Sequence, residues 1–251
     1  MSVTVIKLRL IQLEAVTWKN VKIYYNEAPV LIFGVLFPFF IFLAFALGRE
    51  VGIGQLIPGL LGITIFFTGS SVGPFITPWE TRTRTLERLI STPAPFYLII
   101  LGDIMAGFFF GLLLSTILVI AGVLGLGLEI RTISLLFLTI ILGSFCFASL
   151  GSLFSALPTD KPANVMMLSN LVRLPLLFIS GVFVPLTEMP VWAQRIAYMS
   201  PLSYIVDLLR YSFGGENYFA LWFNLLITVF FAALILFVAI SWHQRSLLKR
   251  I

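Results

Sequence analysis

The sequence predicts an all-α polytopic membrane protein with six transmembrane helices, an N-terminal amphipathic interfacial helix and a short re-entrant helical pair before the last span. Three observations predict it. The 251 residues are 59% hydrophobic and only 11% charged, too little polar material to cover a soluble core of this size. The apolar residues fall in long unbroken runs of the length that a bilayer requires. The basic residues cluster beside those runs, as in cytoplasmic anchoring near anionic lipid.

Residues 5–26 place Ile6, Leu10, Leu13, Thr17, Val21 and Tyr24 at spacings of three to four, with Lys7, Gln12, Glu14, Lys19 and Lys22 mostly on other faces. This is an amphipathic helix expected to lie along the membrane surface. The spans follow at about 30–47, 56–76, 96–128, 133–157, 165–186 and 219–241. The first ends at Gly48-Arg49-Glu50. Pro175 interrupts the fifth and Pro185 ends it. A charged segment, 79–93, is expected as a loop between the second and third spans. Residues 190–214 are split by Pro201 into halves too short to cross about 30 Å of hydrocarbon, so they are expected to dip in and return.

Six spans place both termini on one side. Lys7, Arg9, Lys19, Lys22, Arg82, Arg84, Arg88, Lys161, Arg245, Lys249 and Arg250 would share that side, against Arg49, Arg131, Arg195 and Arg210 on the other. That bias makes both termini cytoplasmic. Ala44-Phe45-Ala46 looks like a signal-peptidase site, but the run before it is too long and begins too late for a signal peptide. The whole of 1–251 reads as a single membrane domain.

Chemistry is sparse. The net charge of +5 lies beside the spans and implies lipid rather than nucleic acid. Cys146 is the single cysteine and His243 the single histidine, so neither a disulfide nor a metal site is expected. Cys146 reads as core and His243 as an interfacial residue in the tail. There is no Gly-x-x-x-x-Gly-Lys-Ser/Thr, so the chain has no phosphate-binding loop and no enzyme site of its own. Asp103 and Arg173 are the ionisable residues inside spans. Their depths, roughly 10 and 12 Å from the same side, allow an intramembrane pair, the alternative being a snorkelling Arg173 and an Asp103 facing a vestibule. Thr64, Thr68, Ser71, Asn170 and Ser180 are candidates for a polar pathway, unless the hydroxyls bond their own helices. Asp207 and Arg210, three apart beyond Pro201, share a helix face and are expected as a weak, exposed pair on the outer helices. Small residues recur at Ser144, Ala148, Ser152 and Ala156, and at Gly107, Gly111 and Ser115. Such rows let helices approach closely, within the bundle or between subunits.

Two segments carry a family resemblance. One is Glu87-Arg88-Leu89-Ile90-Ser91-Thr92-Pro93 leading to Leu101-Gly102. The other begins at Asn170-Leu171-Val172-Arg173-Leu174-Pro175, runs through Ser180-Gly181 to Pro185, and continues with Met189-Pro190-Val191-Trp192, Ser200-Pro201-Leu202 and Asp207-Leu208-Leu209-Arg210. Together they resemble the type-2 ABC exporter permeases, over nearly the whole chain. Asp103 departs from the pattern, since a basic residue is more usual after the glycine. The resemblance implies a permease subunit that forms the pathway, with ATP and magnesium bound on a separate ATP-binding cassette subunit and no cofactor here. It implies a second permease copy, identical or related. It makes 79–93 the coupling helix, with Glu80, Arg82, Arg84, Glu87 and Arg88 contacting the ATPase, and it places 190–214 on the outer side. Mixed charge on a short helix also suits a polar docking surface on physical grounds. The other readings are a proton- or ion-coupled carrier and a membrane anchor or assembly subunit without a pathway.

Overall fold

A computed structural model describes residues 3–47 and 53–247. The expected end of the first run at Gly48-Arg49-Glu50 and the tail residues Lys249 and Arg250 lie outside the described residues. Helix α1 is Val3–Tyr24; after an 88° bend the chain continues as α2, Ala28–Leu31, a π-helical turn, Ile32–Leu36, and α3, Phe37–Ala46. Then come α4, Ile53–Ser71, and α5, Gly73–Arg82; from Leu56 to Arg82 the two form one helical rod of 27 residues. Next are α6, Thr85–Ile90; α7, Phe96–Leu126; α8, Ile133–Ser155; and α9, Pro162–Ile179. A 3-10 turn, Leu186–Glu188, precedes α10, Val191–Ala197, α11, Pro201–Ser212, and α12, Leu221–Leu247.

Among the described residues, five helices are long and apolar enough to cross a membrane, or six if the bent α1–α3 segment counts as one. No strand occurs among the described residues. The punctuation is local. Pro29, Pro74, Pro162 and Pro201 sit in first turns, where a missing N–H costs nothing. Gly127, at φ +63°, closes α7 in the left-handed region that L side chains avoid.

The α4–α5 rod is the centre of the bundle. Its most apolar window is 89% buried, against 22% for α12 and 28% for α7. It packs on α7, α8, α9 and α11. Phe66, Phe67 and Phe147 are fully buried, and the Phe66 and Phe147 rings meet edge-on at 4.7 Å. The outer faces of α7 and α12 instead carry exposed Leu113, Ile117, Leu226, Phe230 and Phe237, an apolar surface suited to lipid. Both small-residue rows serve contacts inside this bundle: Gly107 faces Gly69 and Ala148, and Gly111 faces Ser144. Where α5 crosses α8, a Cβ on Gly73 would lie 2.5 Å from the carbonyl carbon of Gly151. The two backbones touch there, and no side chain fits between them.

Three expectations change. Residues 79–93 are not one loop: α5 runs through Arg82, Thr83 and Arg84 turn the chain, and α6 follows. The fifth helix continues through Pro175 and stops at Ile179 instead of reaching Leu186, because Gly181, at φ +80°, redirects the backbone. The last helix extends to Leu247, so His243 is not in a tail. It is 1% exposed, and its Nε2 lies 2.9 Å from the Ser152 carbonyl oxygen and 3.2 Å from Ser155 Oγ on α8. The two short helices with a break before Pro201 are present, at 7 and 12 residues.

Candidate functional site

A buried polar junction forms where α1, α5 and α7 meet. Gly102 makes it possible: a Cβ there would lie 2.5 Å from Val16 Cγ1, so the bare backbone lets α1 lie against α7. The next residue, Asp103, is 2% exposed and accepts a hydrogen bond from Asn20 Nδ2 at 2.7 Å. Glu80, 1% exposed, pairs with Lys19, the one ion pair among the described residues. The Tyr24 hydroxyl donates to Glu80 Oε1 at 3.4 Å, and the Tyr25 hydroxyl donates to the Ala106 carbonyl at 2.7 Å. One end of α1 thus grips both α5 and α7. Asn20 and Tyr24, four apart, share the face that does so.

Beyond this junction the chain turns outward. Arg84 takes φ +56°, a left-handed conformation unusual for a side-chain-bearing residue. Leu86 is buried and anchors α6, while Arg82, Arg84, Glu87 and Arg88 are exposed. The Arg82 guanidinium lies 5.7 Å from the Trp79 ring centroid, and Trp79 stacks on Phe75. The result is a short charged turn held on a rigid, buried base, which can present alternating charges to another protein. Glu80 is a correction to the sequence reading. It faces inward to Lys19 and takes no part in the exposed surface.

The structure does not pair Asp103 with Arg173. Arg173 is fully buried on α9, donating to Ser70 Oγ at 3.2 Å and Ser169 Oγ at 2.8 Å, with its guanidinium 5.2 Å from the Phe67 ring centroid. Helix α7 packs on α1, α4 and α8, whereas α9 packs on α5, α8 and α10, so matched depth does not bring the two side chains together. Arg173 does not snorkel either, nor does Asp103 face open space.

Thr64, Thr68 and Ser71 donate to the carbonyls of Leu60, Thr64 and Thr68, and Ser180 to that of Leu177. These hydroxyls satisfy themselves locally. The Asn170 side-chain oxygen is buried without a hydrogen-bond partner among the described residues.

The expected exposed pair of Asp207 and Arg210 is also corrected. Asp207 is 4% exposed and accepts from the Tyr218 and Phe219 backbone N–H groups at 2.8 and 2.9 Å and from Asn224 Nδ2 at 2.8 Å. Arg210 donates instead to the Gly181 carbonyl. Residues 201–209 are buried throughout because α11 packs on α4, α8 and α12.

Sequence reasoning missed Lys19, Asn20 and Tyr24 as partners of Glu80 and Asp103. The available signal was Asn20 itself, an amide beside the apolar stripe of α1 and four residues before Tyr24.

A multi-pass helical membrane protein with a braced, charged turn at one end of the bundle is the class that fold and site define. Residues 11–214 match the model of the ABC-2 type transporter family, and the chain belongs to that family. It is 26% identical over 134 residues to the inner membrane transport permease YadH of Escherichia coli K12, covering 53% of this chain and 52% of that protein. It is 26% identical over 190 residues to a "probable multidrug ABC transporter permease", YbhS, of the same organism, covering 74% of this chain and 50% of that one. The matches span about half the length of these curated relatives.

Proposed function

We propose that this chain is the permease subunit of an ATP-driven exporter of the inner membrane, working with a separate ATP-binding cassette subunit that binds ATP and magnesium, and with a second permease copy. The observation that carries this reading is the exposed Arg82, Arg84, Glu87 and Arg88 on a turn whose base is fastened into the bundle through Glu80 and Lys19. Such a turn can receive a displacement from a soluble partner and pass it to the spans. It acts as the coupling helix. Helix α1, at 88° to the segment that follows, lies along the cytoplasmic interface, and its exposed Leu8, Leu10, Ile11 and Trp18 enter the lipid boundary. The α10–α11 pair lies at the outer end, and both termini are cytoplasmic, in keeping with the excess of basic residues at the α5–α6 end.

Two experiments test this. Co-expression with the cognate ATPase should give a complex whose ATP turnover depends on this chain. Arg88→Glu or Glu87→Lys should weaken that complex by about tenfold or more, with the thermal stability of the permease unchanged. Arg84→Gly removes a charge but suits the left-handed turn, so it should cost less than either reversal. Undiminished binding after reversal of Arg82, Arg84, Glu87 and Arg88 together would reject the docking role. Sidedness is read separately. Cys146 is buried, so a membrane-impermeant maleimide reports on new thiols. Thr83→Cys should label only from the cytoplasm and Glu129→Cys only from outside; labelling of both from one side would overturn the orientation.

A further inference from the structure

A cavity of about 830 Å³ opens at the end of the bundle opposite the charged turn. Its walls come from the start of α4, the segment after α7, the segment following α9, one face of α11 and the segment between α11 and α12. This volume suits a drug-sized molecule. The polar lining is asymmetric in charge. Glu129, Glu188 and Glu216 are exposed at the mouth, and Asp207 lies deeper, with Arg210 as the only basic residue among the described lining residues. Arg210 donates to the Gly181 carbonyl and keeps its charge, so four carboxylates face one guanidinium in the described lining. The remaining lining is mixed: Phe183, Leu186, Val206 and Phe213 supply apolar and aromatic surface, with Thr187 and Asn217 polar among them.

A second, independent feature points to a ligand. Ser203 lines the same cavity, is 1% exposed, and its hydroxyl has no hydrogen-bond partner among the described residues. A buried hydroxyl left unmatched is costly, and a group entering the cavity can satisfy it.

We propose that this cavity binds amphiphilic organic cations. The three exposed carboxylates at the mouth raise the local concentration of positive charge. The apolar part of the wall removes the hydrophobic body of the ligand from water, and the aromatic Phe213 and Tyr218 in the lining suit a cationic centre. An anion of the same shape meets the same wall and the opposite field. Binding stands on the cavity alone; only the further step, that the bound cation is cargo, rests on the permease reading.

The test uses the full chain in phosphatidylcholine nanodiscs without any ATPase, so its failure is separate from failure of the permease assignment. Thr187→Cys introduces an exposed thiol on the cavity wall. Tetraphenylphosphonium should slow maleimide modification of that thiol by about fivefold or more, and added salt should erode the protection. Tetraphenylborate, nearly identical in shape, should protect little. Glu129→Gln, Glu188→Gln and Glu216→Gln together should abolish the difference between the two ions. These are surface changes, and a thermal melt verifies the fold. Should the triple variant misfold, Glu188→Gln alone must reduce protection. Equal protection by both ions, no protection by the cation, or full protection in the neutralised variant would overturn the proposal.

Discussion

The charge-conserving exchange Asp207→Arg with Arg210→Asp is expected to abolish folded protein. An exposed helix pair would survive it, because the two charges only trade places. The structure gives the opposite expectation. Asp207 collects two backbone donors and the Asn224 amide across 11 to 17 residues of chain. It thereby fastens the start of α12 to α11. Replacing it with arginine leaves three donors facing a cation. Each orphaned buried donor costs about 1–3 kcal/mol, before the new guanidinium is buried. The incoming Asp at position 210 would face the Gly181 carbonyl, which offers no donor. Together these losses approach or exceed the 5–15 kcal/mol that holds a typical domain folded. Size-exclusion profiles and melting curves in detergent provide the check, with Asp207→Asn expected to fall between the two. A native-like melt from the exchanged chain would show that α12 is held by other means.

Removing one partner of the Lys19–Glu80 pair should be much worse than removing both. Lys19→Met leaves a carboxylate 1% exposed, with Tyr24 as its remaining hydrogen-bond donor. Breaking a fully buried pair from one side costs about 3–5 kcal/mol, and this pair, with Lys19 28% exposed, less, while replacing both members by apolar residues of similar volume is often close to neutral. The double change Lys19→Met with Glu80→Leu should therefore recover most of the stability lost in Lys19→Met alone. Thermal unfolding of the four species gives the coupling directly. Additive losses would mean that the pair contributes nothing beyond its separate side chains. A recovered double variant has a second use, since it tests whether α1 must be fastened to α5 for any dependence of ATPase turnover on this chain.

The spans were legible because run length and hydropathy depend on the chain alone. Pro201 likewise marks the break between α10 and α11 without help from the tertiary structure. Lateral neighbours were not legible. Asp103 and Arg173 were placed at similar depths by counting residues, but counting gives position along an axis and says nothing about which helix stands beside which. Their helices turn to different partners, and each residue found hydroxyl or amide groups instead of the other's charge. Glu80 misled for a related reason. Five charged residues within nine positions read as a solvated loop, yet its partner Lys19 lies 61 residues away. His243 was read as interfacial on the same basis, and α8 supplied its contacts. The locally satisfied threonines were foreseeable, since a hydroxyl within reach of a carbonyl four residues earlier needs no distant partner.

The helical rod from Leu56 to Arg82 has a mechanical consequence. Its 27 residues span about 40 Å at 1.5 Å per residue. One end meets the charged turn at Arg82, and the other contributes Leu56 and Pro58 to the wall of the cavity. Along its length it is clamped, by α1 through Lys19 and by α8 where Gly73 and Gly151 touch backbone to backbone. Pro58 and Pro78 inside it and the break at Val72 are points where it can bend, so what stiffness it has comes from these clamps. Under the proposed coupling role, a push at the turn travels along this clamped rod towards the far mouth, and α1 and α8, fastened to it, take part in the movement.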